Sequence, residues 1–279
     1  MKIAFYTIFA LVAFAFNSIL CRLALGGEAI DAASFTAVRL VSGAITLFII
    51  FSFFGKTDSD AKKGNWISAF FLFAYAVCFS FAYINLTTAT GALILFGSVQ
   101  LTMVFAALHA GERPKILEWL GLALAFFGLV YLVFPGLSAP PFSSSISMAI
   151  AGVSWGIYTL RGRGGKNPLA ETTGNFIKSI PFLFAPILIY FSQIHLSTKG
   201  IFLAILSGAI ASGIGYSVWY AALKYHTATR AAILQLSVPA LAALGGVVFL
   251  AETISVRLLL ASASILGGIG LAIWGRVKN

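Results

Sequence analysis

Apolar residues in this chain neither alternate with polar ones nor keep to one side of a helix. They fill whole runs, broken only by short stretches of charge, glycine and proline. Ten runs stand out, at 3–22, 32–54, 66–86, 89–108, 116–134, 144–161, 173–192, 200–223, 229–250 and 257–275. The separators include GKTDSDAKKGN (55–65), HAGERPK (109–115), PGLSAPP (135–141) and RGRGGKNPLAE (161–171). Each run is close to the ~20 residues that a helix needs to cross the hydrocarbon core of a bilayer. Backbone in lipid must satisfy its own hydrogen bonds, and the period-2 pattern of a barrel strand is missing, so helices are the predicted elements. The pattern predicts an all-α membrane protein with ten transmembrane helices.

Composition points the same way: 60% of residues are hydrophobic and 9% charged, too little charge to cover a soluble domain. A net charge of +10 would suggest nucleic acid, but the bases sit in loops between runs and there report topology. The N-terminus, the loops after runs 2, 4, 6 and 8, and the C-terminus hold thirteen Lys and Arg; the opposite loops hold three, Arg22, Lys199 and Arg257. By the positive-inside rule both termini are expected in the cytoplasm. The run from Ile3 to Cys21 follows Lys2 as a signal peptide would, yet it is longer than the usual apolar core of one and has a counterpart in the second half; it is expected to be a mature helix. Cys21 and Cys78 lie in separate runs, with no spacing for a disulfide or a metal.

The chain also repeats itself. TATGALILFGSVQ (88–100) returns as TATRAAILQLSVP (227–239), with eight of thirteen positions identical. AFAFNSILCR (13–22) lies over GVSWGIYTLR (152–161), placing Phe16 on Trp155 and Arg22 on Arg161. FSFAYINL (79–86) lies over YSVWYAAL (216–223), placing Tyr83 on Tyr220, and HAGERP over FLAETI, placing Glu112 on Glu252. Five runs per half is an odd number, so the second copy must enter the membrane from the other side. Two five-helix repeats are therefore expected, at 1–134 and 144–279, with 135–143 as linker. Inverted repeats of this kind are a transporter signature, because two halves related by a pseudo-two-fold axis can exchange conformations around a central site.

Several pieces carry a family resemblance in their order: Trp155-Gly156 in run 6, Tyr220-x-x-Leu223 closing run 8, LSVP (236–239) leading to Glu252, and GGIGLAIW (267–274) in the last run. Over nearly its whole length the chain resembles the EamA-type branch of the drug/metabolite transporter superfamily. It departs at Gln100, where the first half would usually carry the proline seen at Pro239. The stretch ALILFGSVQLTM (92–103) resembles aromatic amino-acid exporters of the YddG type. That resemblance implies a bacterial inner-membrane protein exporting aromatic and other apolar amino acids by alternating access, as facilitated diffusion or exchange. It also implies a cavity between runs 1, 3, 4 and 6, 8, 9, with runs 5 and 10 as scaffold. Exporters of other metabolites or drugs, and flippases of lipid-linked substrates, share the same superfamily.

Within the runs, polar and aromatic residues at mid-depth are the candidates for a substrate site. A primary amide in hydrocarbon costs several kcal/mol unless paired, so Gln100 is expected to face protein or a wet cavity, as an interhelical hook or a substrate contact. Gln235, Ser98 and Ser237 invite the same two readings. Tyr75, Phe79 and Tyr83 recur every four residues on one face of run 3, and Tyr216, Trp219 and Tyr220 cluster in run 8. Phe16 and Asn17 in run 1, with Trp155 and Tyr158 in run 6, complete the expected cage; aromatic packing or an interfacial belt would produce the same pattern. Arg39 and Lys178 occupy equivalent places in runs 2 and 7, either snorkelling to the interface or meeting a substrate carboxylate. Glu112 and Glu252 are expected to cap the helices that follow them, or to gate.

No Asp or Glu falls centrally in any run, so coupling to a proton or sodium is not expected. The rival classes fare worse. An intramembrane enzyme would need a nucleophile with a base, or H-E-x-x-H spacing, and the chain has neither. A receptor would not need an inverted repeat. The expected partners are a small-molecule substrate and the bilayer, with no cofactor, metal or nucleic acid.

Overall fold

The computed structural model describes residues 2–55, 64–109, 116–134, 136, 139–162, 165, 167–223, 225–226, 234–235 and 237–277. The fold is all-helical, with α1 (Lys2–Leu25), α2 (Ala32–Phe54), α3 (Trp66–Tyr83), α4 (Thr88–His109), α5 (Ile116–Val133) and α6 (Phe142–Gly162). Next come α7 (Pro168–Ile189) and α8 (Thr198–Leu223), each continuous across a change of helix type, then α9 (Ser237–Leu250) and α10 (Val256–Val277). Seven of these, α1 to α5, α7 and α8, are long and apolar enough to cross a membrane among the described residues. The last two are shorter apolar helices over the residues described, and α6 is diluted by its serine-rich start.

Local chemistry sets the breaks. Asp31 begins α2 by accepting from the Ser34 backbone N–H at 2.8 Å, and Asn65 begins α3 by accepting from that of Ser68 at 2.8 Å. Asn167 does the same for α7, with Pro168 in the first turn, where a missing N–H costs nothing. In α7 the Pro181 ring cannot continue the α ladder, and the backbone tightens to a 3-10 turn over Ile180–Leu183. Inside α8, Leu206–Ile214 widens to a π-helix.

In packing, α5 pairs chiefly with α10, and α6 lies against α3 and α4. Helix α1 lies against α8 and α9, α2 against α7 and α8, α3 against α7, and α4 against α9. The most apolar windows of α1 and α4 are 67% buried and those of α2 and α5 28%, which puts the first pair inside and the second outside. Large apolar side chains such as Phe53, Phe127, Leu188 and Val248 are exposed, as lipid-facing surface requires.

Helix ends gather on two faces. On one, Arg22 donates to the carbonyls of Tyr83 (3.1 Å) and Ile84 (2.7 Å) and pairs with Glu252 at 3.4 Å. On the other, Arg161 donates to Ser68 (3.1 Å) and Asn65 (3.2 Å) at the start of α3. Glu252 corrects an expectation. Its carboxylate does not cap the helix that follows it; it accepts from the Thr88 backbone N–H at 2.8 and 3.1 Å, at the start of α4. Ala251, at φ 53°, turns the chain back after α9 to make this possible. Glu112 lies outside the described residues. Glu252→Ala is expected to lose about 1–2 kcal/mol, the worth of a helix cap. Thermal melts of E252A, R22A and the double variant check it: a double-variant loss equal to the sum of the two would mean the pair is uncoupled.

Candidate functional site

A buried polar network lies where α1, α2, α3 and α8 meet, roofed by α6. Arg39 of α2 is 1% exposed and turns inward. Its Nε donates to Ser212 Oγ at 3.1 Å, and its Nη2 donates to the hydroxyls of Tyr75 (3.1 Å) and Tyr216 (3.0 Å). The two hydroxyls are 3.2 Å apart. Asn17 Nδ2 donates to Tyr75 at 3.3 Å, and Ser207 donates to Asn17 Oδ1 at 2.5 Å. The guanidinium sits over the rings of Phe79 (4.9 Å) and Tyr75 (5.1 Å), a cation–π arrangement that helps to offset its burial.

Two backbone features make this network possible. Gly208 brings α8 down onto α2: a Cβ there would stand 2.1 Å from the Arg39 carbonyl oxygen and from Ser42 Oγ. In the π-helical segment hydrogen bonds run from i to i+5, so residues five apart approach one face. Ser207 and Ser212 both reach the network for that reason. In an α-helix they would point well apart.

Trp155 of α6 closes the roof. Its ring lies 4.6 Å from that of Tyr216, 5.0 Å from Tyr75, 5.5 Å from Tyr158 and 5.9 Å from Phe14. Phe14 also packs edge-on against Tyr216 and Trp219, each at 5.7 Å. Phe14, Asn17, Tyr75, Phe79, Leu95, Phe96, Trp155 and Tyr216 enclose a cavity of about 10 Å³. That is on the order of one water, so the centre is closed in this conformation.

Of the candidates, Asn17, Tyr75, Phe79, Trp155 and Tyr216 line this cavity, and Trp219 stands behind Phe14. Tyr158 and Tyr220 are buried further along, their rings 6.2 Å apart, and Tyr158 accepts from Asn175 at 3.4 Å. Tyr83 is buried, its hydroxyl donating to the Thr88 carbonyl at 3.3 Å. Ser98 is buried where α4 and α6 touch, its Cβ 2.6 Å from where a Gly152 Cβ would be. Gln100 and Gln235 are both buried, with Gln100 Nε2 and Gln235 Oε1 unpartnered among the described residues.

Two candidates are exposed rather than buried. Phe16 is 40% exposed and packs against Phe249 on the outer surface; Phe14, two residues earlier, takes the inward place. Adjacent positions differ by about 100° around a helix, so residues two apart face nearly opposite ways. Ser237 is exposed, its hydroxyl donating to the Leu234 carbonyl of its own chain turn. Arg39 and Lys178 part company: Lys178 Nζ reaches the Gly64 carbonyl at 2.9 Å, near the start of α3. Phe14, Ser207 and Ser212 were missed. The sequence signal was weak: Ser207 and Ser212 are small residues in an apolar run.

A multi-helix bundle with lipid-facing apolar surface and a polar, aromatic centre at the junction of five helices is the frame that a carrier of small molecules needs. The EamA-like transporter family matches residues 1–134 and again 143–274, and the chain belongs to that family. It is 47% identical over 271 residues to the uncharacterized protein PA1977 of Pseudomonas aeruginosa, covering 97% of this chain and 94% of that one. An uncharacterized transporter of Archaeoglobus fulgidus is 25% identical over 240 residues, covering 82% and 84%. A solved crystal structure of a protein superposes with a TM-score of 0.64 at 19% identity over 94% of each chain, a likeness of fold.

Proposed function

We propose that this protein is a ten-span, inverted-repeat carrier in a bacterial inner membrane, with both termini cytoplasmic, that exports aromatic and other apolar amino acids. The observation that carries the reading is the buried centre of Asn17, Tyr75, Phe79, Trp155 and Tyr216, apolar walls with a few hydroxyls. The repeat has independent support. Matching the helices of the halves in order pairs α1 with α6, α2 with α7, α3 with α8, α4 with α9 and α5 with α10. Every major packing pair then has its counterpart: α3–α6 with α8–α1, α4–α6 with α9–α1, and α2–α8 with α7–α3. The family also matches in two segments. Such symmetry suits alternating access, in which one face opens as the other closes around the site.

Gln100, buried one turn along α4 from the cavity-lining Phe96, belongs to this reading as a polar hook just beyond the closed cavity, where the second half carries Pro239. The test is uptake by proteoliposomes of labelled phenylalanine, tyrosine, tryptophan and methionine, with and without a pH gradient. Saturable uptake indifferent to the gradient is expected, because none of the described residues of the centre has a carboxylate to carry a proton. In the same assay Gln100→Ala is expected to raise KM several-fold. Uptake driven by the gradient would overturn facilitated diffusion, and uptake of none of the four would overturn the amino-acid substrate.

A further inference from the structure

The network around Arg39 has more donors than acceptors. Tyr75 Oη lies within hydrogen-bond distance of three donors, Asn17 Nδ2, Arg39 Nη2 and the Tyr216 hydroxyl. A phenol oxygen has only two lone pairs. Asn17 Oδ1 accepts from Ser207 and Ser212 Oγ from Arg39 Nε, and neither lies within hydrogen-bond distance of a tyrosine hydroxyl among the described residues. Of the two tyrosine hydroxyl protons, one can bridge the pair, and the other is left without a bonded acceptor among the described residues. Arg39 Nη1 is likewise buried with no partner among the described residues. Every group that Arg39 does bond is neutral: Ser212, Tyr75 and Tyr216. A buried guanidinium with free N–H groups and no counter-charge is costly, and an acceptor carrying negative charge would relieve it.

From this imbalance we infer that the Arg39–Tyr75–Tyr216 cluster is the receptor for a single carboxylate on the transported molecule, which accepts from Arg39 Nη1 and a tyrosine hydroxyl. The inference rests on the transporter reading above and narrows its substrates to organic monoanions and zwitterions. One charge is matched by one charge. Lys178, which sits on Arg39 when the repeats are laid over each other, spends its ammonium on the Gly64 carbonyl away from the centre. The repeat register that places Tyr83 on Tyr220 also places Phe79 on Tyr216 and Tyr75 on Ser212. Arg39 thus touches both members of two equivalent pairs, and a carboxylate bound there would be held by both halves at once. The walls beside it, Phe14, Phe79 and Trp155, suit an apolar body on the same molecule.

Matched acids and amides test this. Benzoate, 3-phenylpropionate and L-phenylalanine are compared with benzamide, 3-phenylpropionamide and L-phenylalaninamide, read as thermal stabilisation of the purified protein in detergent. The acids are expected to stabilise at concentrations about tenfold or more below their amides, the worth of a charge-assisted hydrogen bond. Arg39→Gln should erase that preference. Tyr216→Phe, which keeps the ring and removes one donor, should weaken it several-fold. If Arg39 were only glue between α2, α3 and α8, R39Q would melt lower with the acid preference intact, and that result overturns the inference. If R39Q does not fold, Y216F and R39K carry the comparison. Equal response of wild-type protein to acids and amides, including none to either, also overturns it. Equal uptake of amino acids and amides would leave a carrier without a carboxylate site; acid-selective stabilisation without amino-acid uptake would keep the site and remove the amino-acid reading.

Discussion

Trp155→Ala is expected to lower the uptake rate of the reconstituted protein by more than tenfold, while Trp155→Phe keeps most of it. The indole meets Phe14, Tyr75, Tyr158 and Tyr216, more rings than any other side chain of the centre. Removing it deletes the face shared by α6 and the Arg39 network. An aromatic ring in that position also contributes about 0.5–1.5 kcal/mol per ring pair beyond its buried area, so several contacts go at once. Phenylalanine restores much of the area and keeps a ring among these contacts, of which the one with Phe14 is edge-on and the others are tilted. Truncating a buried Trp also costs about 3–5 kcal/mol of stability, so the comparison is made per mole of monodisperse protein. Equal uptake by wild-type and W155A protein would remove Trp155 from the site and leave it a packing residue.

Gly268→Val is expected to unfold or aggregate the protein, whereas Gly267→Ala and Gly270→Ala leave it as stable as before or slightly more so. All three lie in one glycine-rich stretch of α10. A Cβ on Gly268 would stand 2.5 Å from the Gly121 carbonyl oxygen and 2.6 Å from the Ala125 backbone nitrogen of α5. The relation is mutual, since a Cβ on Gly121 would stand 2.4 Å from the Gly268 carbonyl oxygen. Backbone cannot move aside as a side-chain tip can, so the two helices must separate. In lipid no hydrophobic driving force replaces the lost contact. At Gly267 and Gly270 a Cβ would meet nothing within 4 Å. There alanine removes the glycine entropy cost of about 0.5–1 kcal/mol per position. Size-exclusion profiles and melting temperatures of the three variants in detergent decide it; a well-folded G268V would show that α5 and α10 are free to part.

Run lengths and most breaks were open to reading because lipid imposes length and uniform hydrophobicity, and because Asp31 and Asn65 mark helix starts by local chemistry. The seventh run, read at 173–192, begins instead at Pro168, where Asn167 caps a helix start that lies inside the polar separator. Tyr75 and Phe79 could be assigned a common face, since four residues bring a helix nearly round to the same side. Gln100, Arg39 and Glu252 stood out as polar groups in or beside apolar runs. Their destinations did not follow. Glu252 reaches α4 across the bundle, a contact between residues 164 apart in sequence.

What the sequence by itself determined is the membrane class, the approximate runs, the repetition of motifs and the family resemblance, all consequences of local composition and spacing. Only tertiary structure decided which side of each run faces protein. A bilayer and a protein interior are both apolar, so a run that is hydrophobic all round carries no phase, and Phe14 cannot be told from Phe16 until α8 and α9 are in place. The same holds for the cations. Arg39 and Lys178 hold like positions in their halves, but the close approach of α8 at Gly208, with its π-helical turn, draws Arg39 into the centre. Lys178 instead extends to the start of α3. Hydrophobicity selects the membrane; packing between particular backbones selects the site.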